Sequence, residues 1–281
     1  MKKVAIITDS SAYLPEDILK GLDIQVVPLT LHWGDDTFRD GEDIRAEEFY
    51  SRLAQSETLP TTSQVTVAEF DKLFSSLLDQ GFAVLAILIS NGISGTVESA
   101  IQAKSNFPDA PVVVHDSQLV SMALGFMVME VARAAQKGAT LEECQALAEE
   151  IYPKIGVYFT VDTLKYLNKG GRINTAKRLV GSALNIKPIM EIRGGKIELV
   201  ESVRSRKKAV ARMLELAEKG IDGRSPVRIS TFHAAAAEDN QALMDEAIER
   251  FKPVETVITQ VSPVIGAHTG PGTLSIAYMA G

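Results

Sequence analysis

The sequence predicts an α/β fold: an N-terminal parallel-sheet α/β domain over residues 1–155, followed by a C-terminal mixed α+β domain over residues 156–281. Three observations predict it. Up to about residue 155, short apolar runs rich in β-branched residues alternate with segments of helical period, the pattern of parallel strands joined by helices. Beyond that point "KPIMEIRGGKIELVES" (187–202) reads as a hairpin turning at Gly194-Gly195. The chain has 281 residues, 46% hydrophobic and 23% charged, enough for one large or two medium domains of ordinary globular composition.

Taken in order, "VAIITDS" (4–10) is a buried strand running into a loop, and Pro15 opens a short helix as its first residue. "IQVVPLTLHW" (24–33) is a second extended run, with turns at "GDD" and "RDG". "AEEFYSRLAQS" (46–56) is helical, "ETLPTTSQVT" (57–66) is a hydroxyl-rich loop, and "VAEFDKLFSSLLDQG" (67–81) is a helix with a glycine stop. "FAVLAILIS" (82–90) is the clearest buried strand, and "PVVVHDS" (111–117) is another. Helices follow over 118–137 and 141–152, with Ser117 and Thr140 as expected N-caps. In the second half, a helix (206–220), a strand (226–231), a helix (239–251) and a strand (254–261) precede "GAHTGPGTLSIAYMAG", read as a loop and then a strand. No low-complexity linker separates the halves, and no internal repeat is visible.

Several function classes lose support. The apolar runs are near strand length, so no membrane span is expected. The N-terminus reads as a first strand rather than a signal peptide. The single cysteine, Cys144, excludes a disulfide framework and a cysteine-based zinc site within one chain, which favours the cytoplasm. Net charge is −7, a poor profile for general nucleic-acid binding. Yet Lys165 to Val210 holds twelve basic and three acidic residues, about +9, leaving about −16 for the rest. Such a block is either a solvated face or a surface for an anionic ligand or acidic partner. There is no P-loop lysine, no G-x-G-x-x-G after a strand and no H-E-x-x-H. His115-Asp116 reads as a strand end, so no metal is expected.

Three hydroxyl-rich loops remain: "TDSSAYLP" (8–15), "LPTTSQVT" (59–66) and "SNGISGT" (90–96). The last follows a buried strand and opens a helix. Ligands of parallel α/β sheets sit outside the carboxyl ends of strands, and free amides at a helix start favour an anion. Gly92 and Gly95 permit close approach, and Ser94 and Thr96 add donors. N-capping by Ser94 or Thr96 needs no ligand and is the simpler account of this loop alone. The turn also resembles a nucleophile elbow, but Gly92-Ile93-Ser94-Gly95-Thr96 puts the last glycine out of register. A serine-dependent lipid or ester hydrolase using Ser94 therefore stands as the alternative, with His32, His115, His233 and His268 as bases that no spacing selects. Asp9 is expected to cap a helix. His268 lies among small residues in "GAHTGPG" (266–272), a better ligand candidate than a histidine on a strand.

Together, TDSSAYLP (8–15), TTSQ (61–64), SNGISGTVESA (90–100), the Asp116-Ser117 turn, LKYLNKGGRI (164–173), the basic stretch Arg204–Ala209 and HTGPG (268–272) resemble the DegV family. That family includes the fatty-acid-binding subunits of bacterial fatty acid kinase. The chain departs from the family's usual pattern at Val65 and Thr66, where TSQPS becomes TSQVT, and at Asn91 and Ile93. The resemblance implies a long-chain fatty acid such as palmitate, stearate or oleate held between the two domains. Its carboxylate would be held by the TSQ and SGT loops, foremost Thr62 and Ser94, with Ser63, Gly95 and Thr96 beside them and His268 near the head group. The tail would run into an apolar cavity of the C-terminal domain. The resemblance further implies a carrier with no chemistry or cofactor of its own. Its partner would be a separate ATP-dependent kinase that makes an acyl phosphate for phospholipid synthesis, with Arg172 and Arg204 facing that partner or its phosphate. Neutral hydroxyls suit a nearly closed carboxylate site, because a buried salt bridge carries a desolvation cost that can exceed its gain. Affinity would come from the tail: at ~0.8 kcal/mol per CH₂, roughly fourteen methylenes supply about 11 kcal/mol before ordering costs.

Overall fold

Strand β1 (Val4–Asp9) is buried along nearly its whole length in the computed structural model, which describes residues 2–179 and 186–281. Helix α1 (Glu16–Leu22), β2 (Ile24–Val27), β3 (Thr30–Trp33), β4 (Asp36–Arg39), α2 (Ala46–Gln55), β5 (Thr61–Ser63) and α3 (Val67–Asp79) follow. Then come β6 (Ala83–Leu88), α4 (Thr96–Lys104), β7 (Val112–Asp116), α5 (Ser121–Gln136) and α6 (Leu141–Ile151). Strands β2, β1, β6 and β7 form, in that order, the expected parallel sheet. The six residues of β6, "AVLAIL", are all buried, as the continuous apolar run of a doubly covered parallel strand requires.

Local departures have local causes. Pro15 is the N-cap of α1 rather than its first residue. The run 24–33 is two strands, because Pro28 has no N–H to give a ladder. After it the chain leaves the parallel sheet and enters a separate antiparallel sheet of order β4-β3-β5. Strand β5 lies where a loop was expected; its polar residues pair with β3 in the register Leu31↔Thr62. Ser117 does not cap α5, whose N-cap is Val120. Its hydroxyl instead donates to the Leu88 carbonyl at 2.6 Å and accepts from the Leu119 amide at 3.0 Å, closing the turn after β7. Thr140 caps α6 as expected, in a reciprocal box with Glu143.

The second half adds β8 (Ile155–Thr160), α7 (Lys165–Lys169), β9 (Lys187–Arg193), β10 (Lys196–Val203), α8 (Arg206–Ile221), β11 (Val227–His233), α9 (Ala237–Phe251), β12 (Glu255–Gln260), α10 (Pro263–Thr269) and β13 (Leu274–Ala280). Six strands form a mixed sheet of order β10-β9-β8-β13-β11-β12, antiparallel except for the β11–β12 pair. The chain is thus a parallel α/β domain followed by a mixed α+β domain. The β9–β10 hairpin turns at Gly194 and Gly195, whose φ values of +54° and +74° are those a tight two-residue turn demands. Strand β8 has no counterpart in the sequence expectation. Helix α10 replaces the expected loop around His268, with Ser262 as its N-cap and Pro263 in its first turn.

Helix α5 joins the halves. Its residues are buried almost all round, and it packs against β1 and β6 of one sheet and β8 and β13 of the other. A helix apolar on every side belongs in a core. Phe232, Val261 and Val264 accordingly share one buried cluster with Ile7, Ile89 and Phe126. At its polar end, Arg133 pairs with Glu130 and with Glu255 of β12, both at 2.5 Å.

Candidate functional site

Strand β6 ends at Leu88, and the chain turns at its carboxyl end through Asn91–Gly95 into α4. Nearby groups pin this loop. Asp9 accepts from the Ile89 amide at 2.7 Å and from the Ser11 amide at 3.0 Å, so it both caps the turn after β1 and ties it to β6. Asp116 accepts from the Asn91 amide at 3.1 Å. Ser90 donates to the Gly195 carbonyl at 2.7 Å, which docks the hairpin tip on the loop. A Cβ on Gly92 would stand 2.4 Å from that same oxygen, so only glycine allows the approach. The N-cap of α4 is Gly95, with no side-chain capping bond. Neither Ser94 nor Thr96 caps the helix; their hydroxyls bond each other at 2.9 Å.

Across the gap, Thr62 of β5 and His268 of α10 meet, with 2.7 Å between Oγ1 and Nε2. Successive side chains of a strand point to opposite faces, and the Ser63 hydroxyl bonds His32 Nε2 at 2.8 Å instead. Gln64 donates to Ser99 at 2.9 Å, and its amide lies where a Cβ on Gly95 would fall. Arg172, just past α7, donates to the carbonyls of Gly170 at 2.7 Å and Ile93 at 3.2 Å. Burial, and then the Arg172 charge, lower the His268 pKa to about 4. The ring is therefore neutral near pH 7, and its Nδ1 is buried with no hydrogen-bond partner among the described residues. When Nε2–H donates to Thr62 Oγ1, the Thr62 hydroxyl proton is free to serve a ligand.

These groups line a polar pocket of about 340 Å³, with Thr62, Gln64, Ser94, Gly95, Arg172 and His268 on its wall. Behind it lies a narrow apolar slot with only about 50 Å³ of free volume, well below the ~300–1,000 Å³ usual for small-molecule sites, so a ligand entering it has to part its walls. Val157, Phe159, Ile192, Ile197, Phe232 and Val261 face the slot. Ile93, Arg172, Ile265 and His268 border both spaces. Among the described residues, no group of three or more His, Cys, Asp or Glu side chains is arranged to hold a metal ion. No helix among them is long and apolar enough to cross a membrane.

Residues 3–281 match the family described as "Uncharacterised protein, DegV family". The chain belongs to the DegV family. A DegV domain-containing protein of Listeria innocua is 36% identical over 278 residues, 99% of this chain and 98% of the relative. Protein DegV of Bacillus subtilis is 33% identical over 276 residues, 98% of each chain. Among solved structures, a fatty-acid-binding DegV family protein from Thermus thermophilus superposes with a TM-score of 0.94 at 31% identity, covering 99% of both chains. The Bacillus subtilis DegV, described as a fatty acid binding protein, superposes with a TM-score of 0.91 at 31% identity over the whole of both chains.

Within this DegV fold, the structure brings Thr62, Ser94, Gly95, Arg172 and His268 to one pocket. Ser63 borders the pocket but commits its hydroxyl to His32. Thr96 is fully buried behind Ser94. Arg204 is exposed and lines neither space. The sequence reading did not select Gln64 or Ile93. Both sit inside quoted motifs, Gln64 in TTSQ and Ile93 in SNGIS, but neither residue type announces a ligand. No histidine is hydrogen-bonded to Ser94 among the described residues: His268 bonds Thr62, and Ser94 bonds Thr96.

Proposed function

We propose that this protein is a fatty-acid carrier. The carboxylate of a long-chain acid such as palmitate, stearate or oleate sits among Thr62, Ser94 and His268, and the acyl chain fills the apolar slot. The observation that carries this reading is the continuity of a polar pocket with an apolar slot through one shared wall. A molecule with one anionic end and a long hydrocarbon body matches both spaces at once. The fatty-acid binding described for the Thermus and Bacillus relatives supports it. Ser94 and Thr62 donate hydroxyl hydrogen bonds, and Arg172 adds a positive charge within the wall. Such charge-assisted bonds are worth ~1.5–3 kcal/mol each.

The carrier hands the exposed carboxylate to a separate ATP-dependent kinase, which forms the acyl phosphate used in phospholipid synthesis. The family resemblance supports this step, and so does Arg204, an exposed cation in the basic stretch with no ion pair among the described residues. Hydrolysis by Ser94 lacks the serine–histidine contact that would activate the nucleophile.

Native mass spectrometry of freshly purified protein, followed by lipid extraction, tests the carrier. One fatty acid per chain supports it, and a clean unliganded mass counts heavily against it. With labelled fatty acid and ATP, acyl phosphate is expected only when a fatty acid kinase catalytic subunit is added. Arg204→Glu is expected to slow that phosphorylation while lipid binding stays within about twofold, as for a surface charge distant from the ligand. Acyl phosphate made by this chain alone would sink the carrier reading.

A further inference from the structure

We infer that Asp40 is a positioning residue for the head-group pocket, fixing the end of α10 opposite to the one that carries His268. The inference rests on the fatty-acid reading for its ligand, though not for its geometry.

Asp40 directly follows β4 and is 2% exposed. Its Oδ2 accepts from the Ser10 hydroxyl at 2.6 Å, and its Oδ1 accepts from the Val264 amide at 3.3 Å. The Ser262 hydroxyl stands close enough to help hold the Asp40 pKa down, and the Ser262 oxygen caps the Ile265 amide at 3.4 Å. Asp40 and Ser262 thereby satisfy the first turn of α10 side by side, at the Val264 and Ile265 amides. At the far end of this seven-residue helix, His268 meets Thr62. Thr62 belongs to β5 and Asp40 follows β4, and both strands pair with β3. One small sheet therefore grips α10 at both ends. In between, Gly266 lets the helix lie against Tyr50, whose oxygen would stand 2.4 Å from a Cβ there.

The grip is costly to build. Burial, with the charge of Asp9 adding to it, pushes the Asp40 carboxyl up to about 7 against the pull of its hydrogen bonds. Asp9 from β1, Tyr13 and Tyr50 are the titratable groups coupled to it. A carboxyl this buried stabilises only through the partners it organises. Those partners are the Ser10 turn and the start of α10. Losing them lets α10 shift along its axis, and a shift of about an ångström carries the 2.7 Å contact between His268 and Thr62 beyond hydrogen-bond length.

The experiment reads the imidazole nitrogens by NMR, with the four histidines assigned by single substitutions. In parallel it titrates a fluorescent fatty acid probe, cis-parinaric acid, and the corresponding alcohol. Asp40→Ala is expected to move the His268 Nε2 signal and to weaken the acid about tenfold, the equivalent of one positioned hydrogen bond. The alcohol is expected to lose less than about threefold. Asp40→Asn keeps an acceptor for the Val264 amide and is expected to restore both readouts. Ser262→Ala, which removes the neighbouring cap of the same turn, is expected to move them in the same direction as Asp40→Ala if that variant does not fold. An unmoved His268 signal with an unchanged acid-to-alcohol ratio would overturn the inference, whatever happens to the melting temperature. If the wild type binds neither probe, the carrier reading fails, while the ring signal of the ligand-free protein still decides the role of Asp40.

Discussion

The polar pocket and the apolar slot share four wall residues yet are built by opposite rules. The slot takes most of its walls from β8, β9, β10, β11 and β13 of the six-stranded sheet. The pocket takes its groups from short pieces: a five-residue loop, a three-residue strand and a seven-residue helix. A sheet face offers a broad, rigid apolar surface, and each methylene laid on it adds ~0.8 kcal/mol. Loops and helix ends offer donors at chosen angles. On the proposed carrier function, the contrast would assign affinity to the sheet and discrimination among head groups to the short pieces.

The largest effect should come from breaking the slot. Ser275 of β13 is 1% exposed and faces it. Ser275→Phe should displace about five methylenes of tail, worth ~4 kcal/mol or roughly a thousandfold in affinity. Acid and alcohol ligands should lose equally, as calorimetric titration of both would register. An unequal loss would mean that the slot also reads the head group.

Next comes the pH dependence of His268, where the two spaces meet. In the folded protein its pKa is lowered to about 4, whereas an unfolded histidine takes a proton near 6.5. As pH falls from 6.5 toward 4, the unfolded state gains a proton that the folded state does not, so stability drops, by about 3 kcal/mol at the acid end. His268→Gln should remove that part of the slope in urea-unfolding midpoints between pH 7.5 and 4.5. A bound carboxylate should flatten it too, because a negative charge beside the ring raises its pKa. Parallel slopes for wild type and variant would place the acid sensitivity elsewhere.

The smallest effect sharpens the pocket. Ser94→Ala should weaken the acid ten- to a hundredfold, the equivalent of a charge-assisted hydrogen bond of ~1.5–3 kcal/mol. A fatty alcohol should lose less. Thr62→Val should act similarly, and the double variant should fall short of the sum because both hydroxyls touch one carboxylate. Equal losses for acid and alcohol would show that Ser94 does not read the charge.

The fold was legible where burial writes itself into composition. The apolar β6, the periodic α3 and the Gly-Gly hairpin each carry their own signal. Strand β5 does not, because "TTS" is held by its register with β3 rather than by propensity. Helix α10 does not either: "PVIGAHT" contains a glycine and three β-branched residues, and it is helical because Ser262 and Asp40 satisfy its first turn. In the pocket, the hydroxyl loops were visible but their pairings were not. Thr62 and His268 are 206 positions apart, and nothing local in either segment names the other. Charge counting could not separate Arg172, which stands in the wall, from Arg204, which stands outside it. Neutral hydroxyls are not alone in the pocket wall, because the guanidinium of Arg172 stands there with them.

Strand β13 sits in the middle of the six-stranded sheet, between β8 and β11, although its residue Leu274 must find Thr160 far back in the sequence. During synthesis β8 and α5 emerge long before that partner exists. Until β13 arrives, the apolar flank of α5 and two open strand edges stay exposed to other nascent chains. Such long-range pairing slows folding and lengthens the window for aggregation. The same strand that closes the apolar slot is thus the one whose late arrival governs how safely the protein is made.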